Sequence, residues 1–399
     1  MKIAIIGDVH FGANYSLGQK DSVTGLNTRL KDYSKTLERT IDEIVSDGCE
    51  EIVFTGDIFE TRHPSVVQQK LFSQNLAYAL SQGIKSIDIV IGNHDQQRVH
   101  DANTLSYLQE LNLHNIKVHE DIAWRKLEKN GVVVANLIFM PYRDRKWIGD
   151  DTYYDAIAKI KSSFTYILGE IDNQAPKIVI GHFAIEGTMF AEEYAELYGN
   201  NELYLPKSMF NEIDITIMGH VHTPYVLSDE PYIAYVGSME KRGAFENHKK
   251  KYAIIDLQNK RVEYKDEPCR DIYELKLDLS SQIYADELMS KVTKEIDKFA
   301  QSTDLKDSII KISIFILAED SRFLEPKHLE EYVKDKYKVE YCTPIKPLLF
   351  SPRQARDAHI TEHSSDEEAF ARFVKNTMSE YEFIDDIIGT GLDIIRLRK

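Results

Sequence analysis

Over the first two-thirds of the chain, short apolar runs rich in β-branched residues alternate with longer stretches whose apolar positions recur every three or four residues. The short runs predict strands at Lys2 to Gly7, Glu51 to Thr55 and Ser86 to Ile91. The longer stretches predict helices at Lys31 to Ser46 and Ser65 to Ser81. Beyond Ile116 the strands crowd together, at Val132 to Met140, Lys177 to Gly181, Asp214 to Met218, Ile233 to Val236 and Tyr252 to Leu257. Such a mixture predicts an α/β fold whose sheets form a sandwich with helices on its outer faces.

Near Pro268 the pattern changes. Strands at Tyr273 to Leu279, Ile309 to Leu317 and Lys338 to Cys342 are separated by helices at Ala285 to Ala300 and Pro326 to Lys336, which predicts a small α/β domain. Ser351 to Glu367 is polar and turn-rich, a linker. The chain then becomes apolar and helical again. One stripe runs through Phe370, Phe373, Val374, Met378 and Tyr381, and a second through Phe383, Ile384, Ile387, Ile388, Leu392, Ile394, Ile395 and Leu397. The expected organisation is therefore a main domain over 1–267, a second domain over 268–350, a linker over 351–367 and a helical tail over 368–399.

Composition narrows the class. At 399 residues the chain is too long for one compact core. Cys49, Cys269 and Cys342 are isolated, with no paired spacing, which fits a reducing cytoplasm and excludes a cysteine zinc site. Nowhere do eighteen apolar residues run together, so no membrane span is expected. The net charge of −16 opposes nucleic-acid binding through the whole surface and leaves that task to local basic patches or bound cations.

Five motifs fall at the ends of expected strands: Gly7-Asp8-Val9-His10, Gly56-Asp57, Gly92-Asn93-His94-Asp95, Gly181-His182 and Gly219-His220-Val221-His222. The carboxyl ends of strands are where an α/β sheet gathers its ligands. Taken singly, a Gly-Asp after a strand is a turn, and a lone buried histidine is a hydrogen-bonded core residue. Five in a row are another matter. A core has no reason to collect carboxylates, an amide and several imidazoles on one rim, because unpaired buried charges are costly. Divalent cations supply the missing partners.

The order of these motifs resembles the metallophosphoesterase superfamily over about residues 1–265. The resemblance implies a four-layer αββα sandwich. It places one cation on Asp8, His10, Asp57 and His222, and a second on Asp57, Asn93, His182 and His220, with Asp57 bridging. Oxygen and imidazole donors suit manganese or iron and tolerate magnesium or zinc, and do not decide between them; the resemblance implies manganese first. Two cations about 3.5–4 Å apart generate a nucleophile from water at neutral pH and clamp the oxygens of a phosphate. His94 is the implied proton donor to the leaving oxygen; its plainer reading is a structural histidine bonded to Asp95 or to a carbonyl.

Asp57-Ile58-Phe59 with the following Arg62, Pro64 and Ser65, and the later Tyr235-Val236-Gly237-Ser238-Met239-Glu240-Lys241-Arg242, look like SbcD-type DNA repair nucleases, which have phage recombination nucleases among their relatives. The resemblance implies manganese-dependent cleavage of duplex ends and single strands. It also implies homodimer formation through helices such as those carrying Leu71, Phe72 and Leu76 or Leu105, Leu108 and Leu111. The partner implied for the tail is an SbcC-type ABC ATPase with a coiled coil, and the second domain would cap the DNA. Lys241 and Arg242 form one local basic patch, with Lys249, Lys250 and Lys251 beside it, and Arg143 and Arg145 another, with Lys146 and Trp147; both are candidates for backbone phosphates. One departure is clear: many members carry histidine, thought to help place the substrate phosphate, where this chain has Glu60. Two rivals remain, a phosphodiesterase for small nucleotides and a non-catalytic scaffold. The second sits poorly with a complete donor set.

Overall fold

Alternation along the first strand sets the architecture. In β1 (Lys2–Ile6) the side chains of Ile3 and Ile5 enter one apolar layer, while Ala4 and Ile6 enter another on the opposite face. The computed structural model is described for residues 1–96, 103–111, 113–149, 152–188, 202–246, 248–279, 285–350, 366–377 and 384–397. The chain divides into two units. One comprises residues 1–275, 295–312 and 326–345; the other comprises 276–294, 313–325 and 346–399.

The first unit holds two six-stranded sheets. In the first sheet β1, β2 (Cys49–Phe54), β3 (Ser86–Val90) and β4 (Ile116–His119) run parallel; β13 (Lys251–Asp256) pairs antiparallel with β1, and β14 (Arg261–Asp266) antiparallel with β13 at the edge. The second has the order β11 (Tyr225–Asp229), β12 (Tyr232–Tyr235), β10 (Ile215–Met218), β7 (Lys177–Gly181), β6 (Val132–Met140) and β5 (Ala123–Lys129). A two-stranded ribbon joins β8 (Ala184–Ile185) to β9 (Tyr204–Leu205).

Between the sheets lies an apolar layer of Ile3, Ile5, Val53 and Val90 against Leu137, Phe139, Ile178, Ile180, Ile217 and Val236. Outside the first sheet pack α1 (Thr28–Ser46), α2 (Val66–Ser81) and α3 (Ser106–Glu110); outside the second pack α4 (Arg145–Ile148) and α5 (Tyr153–Glu170). This is the expected helix–sheet–sheet–helix order.

Where elements differ from expectation, local chemistry explains it. α1 starts three residues early because Asn27 Oδ1 caps it, accepting from the Arg29 amide at 2.8 Å. Arg29 in that first turn is fully buried on Glu240 at 2.9 Å, a partner 211 residues away that no local pattern shows. α2 starts after Ser65, whose hydroxyl and Gln68 form a reciprocal capping box. The edge strands β5, β11 and β14 carry mixed, half-exposed residues and so leave little apolar signal. Phe72, Leu76, Ala79, Leu105 and Leu108 on α2 and beside α3 are consumed by the domain's own core. Leu111 is exposed.

Downstream strands β15 (Ile272–Leu279) and β16 (Ile309–Leu317) and helices α6 (Ala285–Ser302) and α7 (Pro326–Tyr337) follow the sequence pattern, whereas the strand expected from Lys338 shortens to β17 (Tyr341–Cys342) and β18 (Leu348–Phe350) is an addition. Within the first unit Ile309 and Ile310 pair with β17; within the second, Phe315 to Leu317 pair with β18. The second unit also contains α8 (Asp366–Thr377) and α9 (Ile384–Leu397), which pack on each other. The Phe370 ring lies on Gly391, where any Cβ would overlap it, and Val374 and Ile388 are buried. Met378, Tyr381, Phe383 and the linker residues 351–365 lie outside the described residues. Among the described residues no helix is long and apolar enough to cross a membrane.

Candidate metal centre

Parallel pairing of β1, β2 and β3 brings three motif loops out at one end of the first sheet. Parallel pairing of β7 and β10 does the same for the two histidine loops of the second sheet. Across the sandwich the five loops meet. His10, Asp57 and His220 all have positive φ (52°, 49° and 81°), a conformation that non-glycine residues adopt mainly where surrounding structure enforces it. Gly92 is there for space, since a Cβ at that position would overlap the Asp57 carboxylate.

The donors converge on two adjoining groups. Asp8, His10 and His222 present one ligand atom each within 4.8 Å of one another, and Asp8, Asp57 and His182 do the same. His10 Nε2 and His222 Nε2 are 3.1 Å apart, and His222 Nε2 is 3.5 Å from Asp8 Oδ2. Asp57 Oδ2 lies 3.7 Å from His10 Nε2 and 3.5 Å from His182 Nε2, so it faces both groups. Asn93 Oδ1 lies 3.0 Å from His182 Nε2 and 3.0 Å from His220 Nδ1. All seven residues expected as ligands are therefore assembled around one centre.

Electrostatics fit a missing positive charge. Asp8 and Asp57 are buried, and the ion-pair partners of both are histidines. Burial pushes the Asp8 carboxyl up, and the neighbouring Asp57 adds to this, against the pull of His182. Asp57 is equally buried, but His182, His94 and His10 together hold its carboxyl well below the usual range. Burial disfavours a charged His182, yet the Asp57 and Asp8 carboxylates outweigh it and raise the imidazole to about 10. A proton on His182 thus does the neutralising that a divalent cation does better, since a cation releases that proton and uses the lone pair. His222 is held neutral, hence ligand-competent, by burial first and then by the charges of His10 and Arg242.

Three further ring nitrogens each lie close to an outer oxygen. His182 Nδ1 lies 2.8 Å from the Thr55 carbonyl, His10 Nδ1 is 3.0 Å from Glu60 Oε2, and His220 Nε2 is 3.2 Å from Glu202 Oε1. Such partners fix ring orientation in metal sites. Glu202 also accepts from the Tyr142 hydroxyl at 3.1 Å. Sequence reading passes over Glu202 and Tyr142 because neither belongs to a strand-end glycine motif. Asp95 is a brace: its carboxylate accepts from the amides of Ile58 (3.1 Å) and Gly92 (3.0 Å), tying the second motif loop to the third. Burial, with the Asp57 charge, raises it to about 6.

His94 occupies the rim. Its amide donates to Asp57 Oδ1 at 2.8 Å, and its Nδ1 donates to the Glu60 carbonyl at 2.6 Å rather than to Asp95. A cleft of about 320 Å³ opens here, lined by Glu60, Arg62, Asn93, His94, Tyr142, Asp144 and Glu202. Of the basic candidates, Arg242 reaches the centre, with NH1 3.5 Å from His222 Nδ1. Lys241 is paired with Asp271 at 2.6 Å, and Arg143 with Asp121 at 2.9 Å. Arg145 is half-buried on α4. Lys249 and Lys251 face Asp266, and Lys250 is buried against Glu246.

Two curated relatives are named as the SbcD component of the nuclease SbcCD. The protein of Staphylococcus saprophyticus is 21% identical over 69% of this chain and 71% of its own length. That of Staphylococcus epidermidis is 25% identical over 66% of this chain and 67% of its own. A solved dimetal phosphatase from Danio rerio aligns at 10% identity and a TM-score of 0.35, over 64% of this chain and 91% of that one. The calcineurin-like phosphoesterase family model matches residues 1–224, a stretch that contains all five motif loops and their seven donors, and the chain belongs to that family.

Proposed function

We propose that this phosphoesterase is a DNA nuclease that hydrolyses phosphodiester bonds with two divalent cations, manganese foremost, and works with an ATPase partner. The observation that carries it is the double donor group around Asp57, open to a cleft with His94 on its rim. Asp8, His10, Asp57 and His222 would hold one cation; Asp57, Asn93, His182 and His220 the other. Bound cations there supply Lewis acidity, generating a nucleophile from water at neutral pH and drawing charge from the phosphate oxygens.

The chain's own groups do the rest. Because the carbonyl of Glu60 can only accept, Nδ1 of His94 carries a proton, and Nε2 is the atom that exchanges one. Hydroxide, formed from water that has released its proton to solvent, would attack phosphorus in line with the leaving oxygen; the bond to that oxygen breaks, and protonated His94 Nε2 gives its proton to the departing alkoxide. DNA is supported as substrate by the two relatives' names. Linear duplex DNA and a single strand are expected to be degraded with manganese and spared with chelator. Hydrolysis of bis-p-nitrophenyl phosphate with no cleavage of either DNA would instead favour a small-nucleotide phosphodiesterase.

The tail helices supply the partner site in this reading. α8 and α9 bury Val374 and Ile388 yet leave Ile387 exposed, consistent with an amphipathic pair offered to another protein. An SbcC-type ATPase with a coiled coil is the partner proposed. Deletion of residues 366–399 is expected to leave manganese-dependent hydrolysis intact and to abolish co-purification with the ATPase. A truncated protein that aggregates or melts far lower would assign the helices to its own core.

A further inference from the structure

One arginine reaches the donor cluster from the loop after β12, and its placement is over-determined. Arg242 NH2 donates to Glu60 Oε1 at 2.9 Å, across 182 residues of chain. The other oxygen of that carboxylate, Oε2, is 3.0 Å from His10 Nδ1. Glu60 thus faces a donor-cluster histidine at ion-pair distance with one oxygen and accepts from a guanidinium with the other. The arginine's backbone is pinned on both sides: its amide donates to Glu246 Oε2 at 2.6 Å, and its carbonyl accepts from Asn14 Nδ2. Glu246 is in turn fixed by the buried Lys250 at 3.0 Å.

An arginine serving only surface charge has no need of such anchoring, since exposed pairs contribute little. Nor is the pair sealed: the Arg242 and Glu60 side chains each keep 24% of their surface exposed, and Glu60 lines the cleft. A guanidinium carries five N–H donors in a planar fork matched to two oxygens of a phosphate.

We propose that Arg242 is the anion-binding arm of the centre, contacting a non-bridging oxygen of the substrate phosphate. Glu60 is the positioning residue that presents this arm while orienting His10. The inference rests on the phosphodiester substrate proposed above.

The test uses the full chain, with manganese titration, inorganic phosphate binding to the manganese-loaded protein, and hydrolysis of bis-p-nitrophenyl phosphate. Arg242→Ala is expected to weaken phosphate binding and raise KM by about 10- to 100-fold, the scale of a charge-assisted hydrogen-bond pair. Its manganese affinity falls by less than that of Glu60→Gln, because Arg242 meets the donor cluster only through a 3.5 Å approach to His222 Nδ1. Arg242→Lys recovers only part of the loss, a point charge lacking the fork. Glu60→Gln loses phosphate affinity similarly and also binds manganese about tenfold more weakly, the mark of an outer partner of His10. The double variant binds phosphate no worse than the weaker single one. Phosphate affinity unchanged in Arg242→Ala overturns the proposal, and so does Glu60→Gln with wild-type phosphate and manganese affinities. A wild type that binds phosphate but cleaves no phosphodiester overturns the proposed function and leaves the phosphate measurement to decide this inference.

Discussion

Asp57→Asn is expected to lower hydrolysis by at least on the order of 10³-fold, the scale of removing a principal electrostatic stabiliser, and to bring bound manganese below two ions per chain. The substitution is nearly isosteric. Asparagine, like aspartate, tolerates the left-handed backbone that Asp57 adopts at φ 49°, so the loop keeps its shape. Oδ1 can still accept from the His94 amide. What disappears is the carboxylate charge that faces His10 Nε2 and His182 Nε2 together. Elemental analysis under saturating manganese, alongside hydrolysis rates, reads both effects. Two ions retained at full affinity would show that Asp57 does not bridge.

The same substitution changes the pH dependence of the metal-free protein. His182 is raised to about 10 in the folded state, so the stability it contributes is fully present below its unfolded pKa, about 6.5, and is lost as pH rises through about 10. Removing Asp57 removes much of that raising charge. Thermal melts in chelator should therefore fall between about pH 6.5 and 10 for the wild type, and fall less for Asp57→Asn.

Much of this centre was legible in the sequence because its parts are local. Each donor sits within four residues of a strand's end, and the glycine that opens each motif is a visible mark of a tight loop. β-Branched runs made the buried strands equally plain. What stayed hidden is long-range. Glu60 and Arg242, Arg29 and Glu240, and Tyr142 and Glu202 meet across 182, 211 and 60 residues. Nothing near any of these residues encodes its partner. The basic patch at Lys241, Arg242 and Lys249 to Lys251 has the sequence of a free cationic surface. Folding gives Lys241 to Asp271, Lys249 to Asp266 and Lys250 to Glu246, and brings the Arg242 guanidinium to the His222 ring.

His94→Ser is expected to separate proton donation from metal holding. The imidazole is tied at Nδ1 to the Glu60 carbonyl, which leaves Nε2 to exchange a proton, and His94 lines the cleft. Its ring centroid is 5.0 Å from that of His10, close enough to the centre to serve a leaving group there. Losing a general acid costs roughly 10²- to 10⁴-fold when the leaving oxygen is a sugar alkoxide, which departs poorly without a proton. A p-nitrophenolate leaves well unprotonated, so hydrolysis of bis-p-nitrophenyl phosphate should fall far less in the same variant. Manganese content and affinity should match the wild type, because the seven donors and their outer partners are untouched. The backbone amide that braces Asp57 Oδ1 also survives the change. Parallel measurement of DNA cleavage, ester cleavage and bound manganese distinguishes the roles. Equal losses on both substrates would mean that His94 does not protonate the leaving group, and lost manganese would make it a ligand through the group it forms with His10 and Glu60.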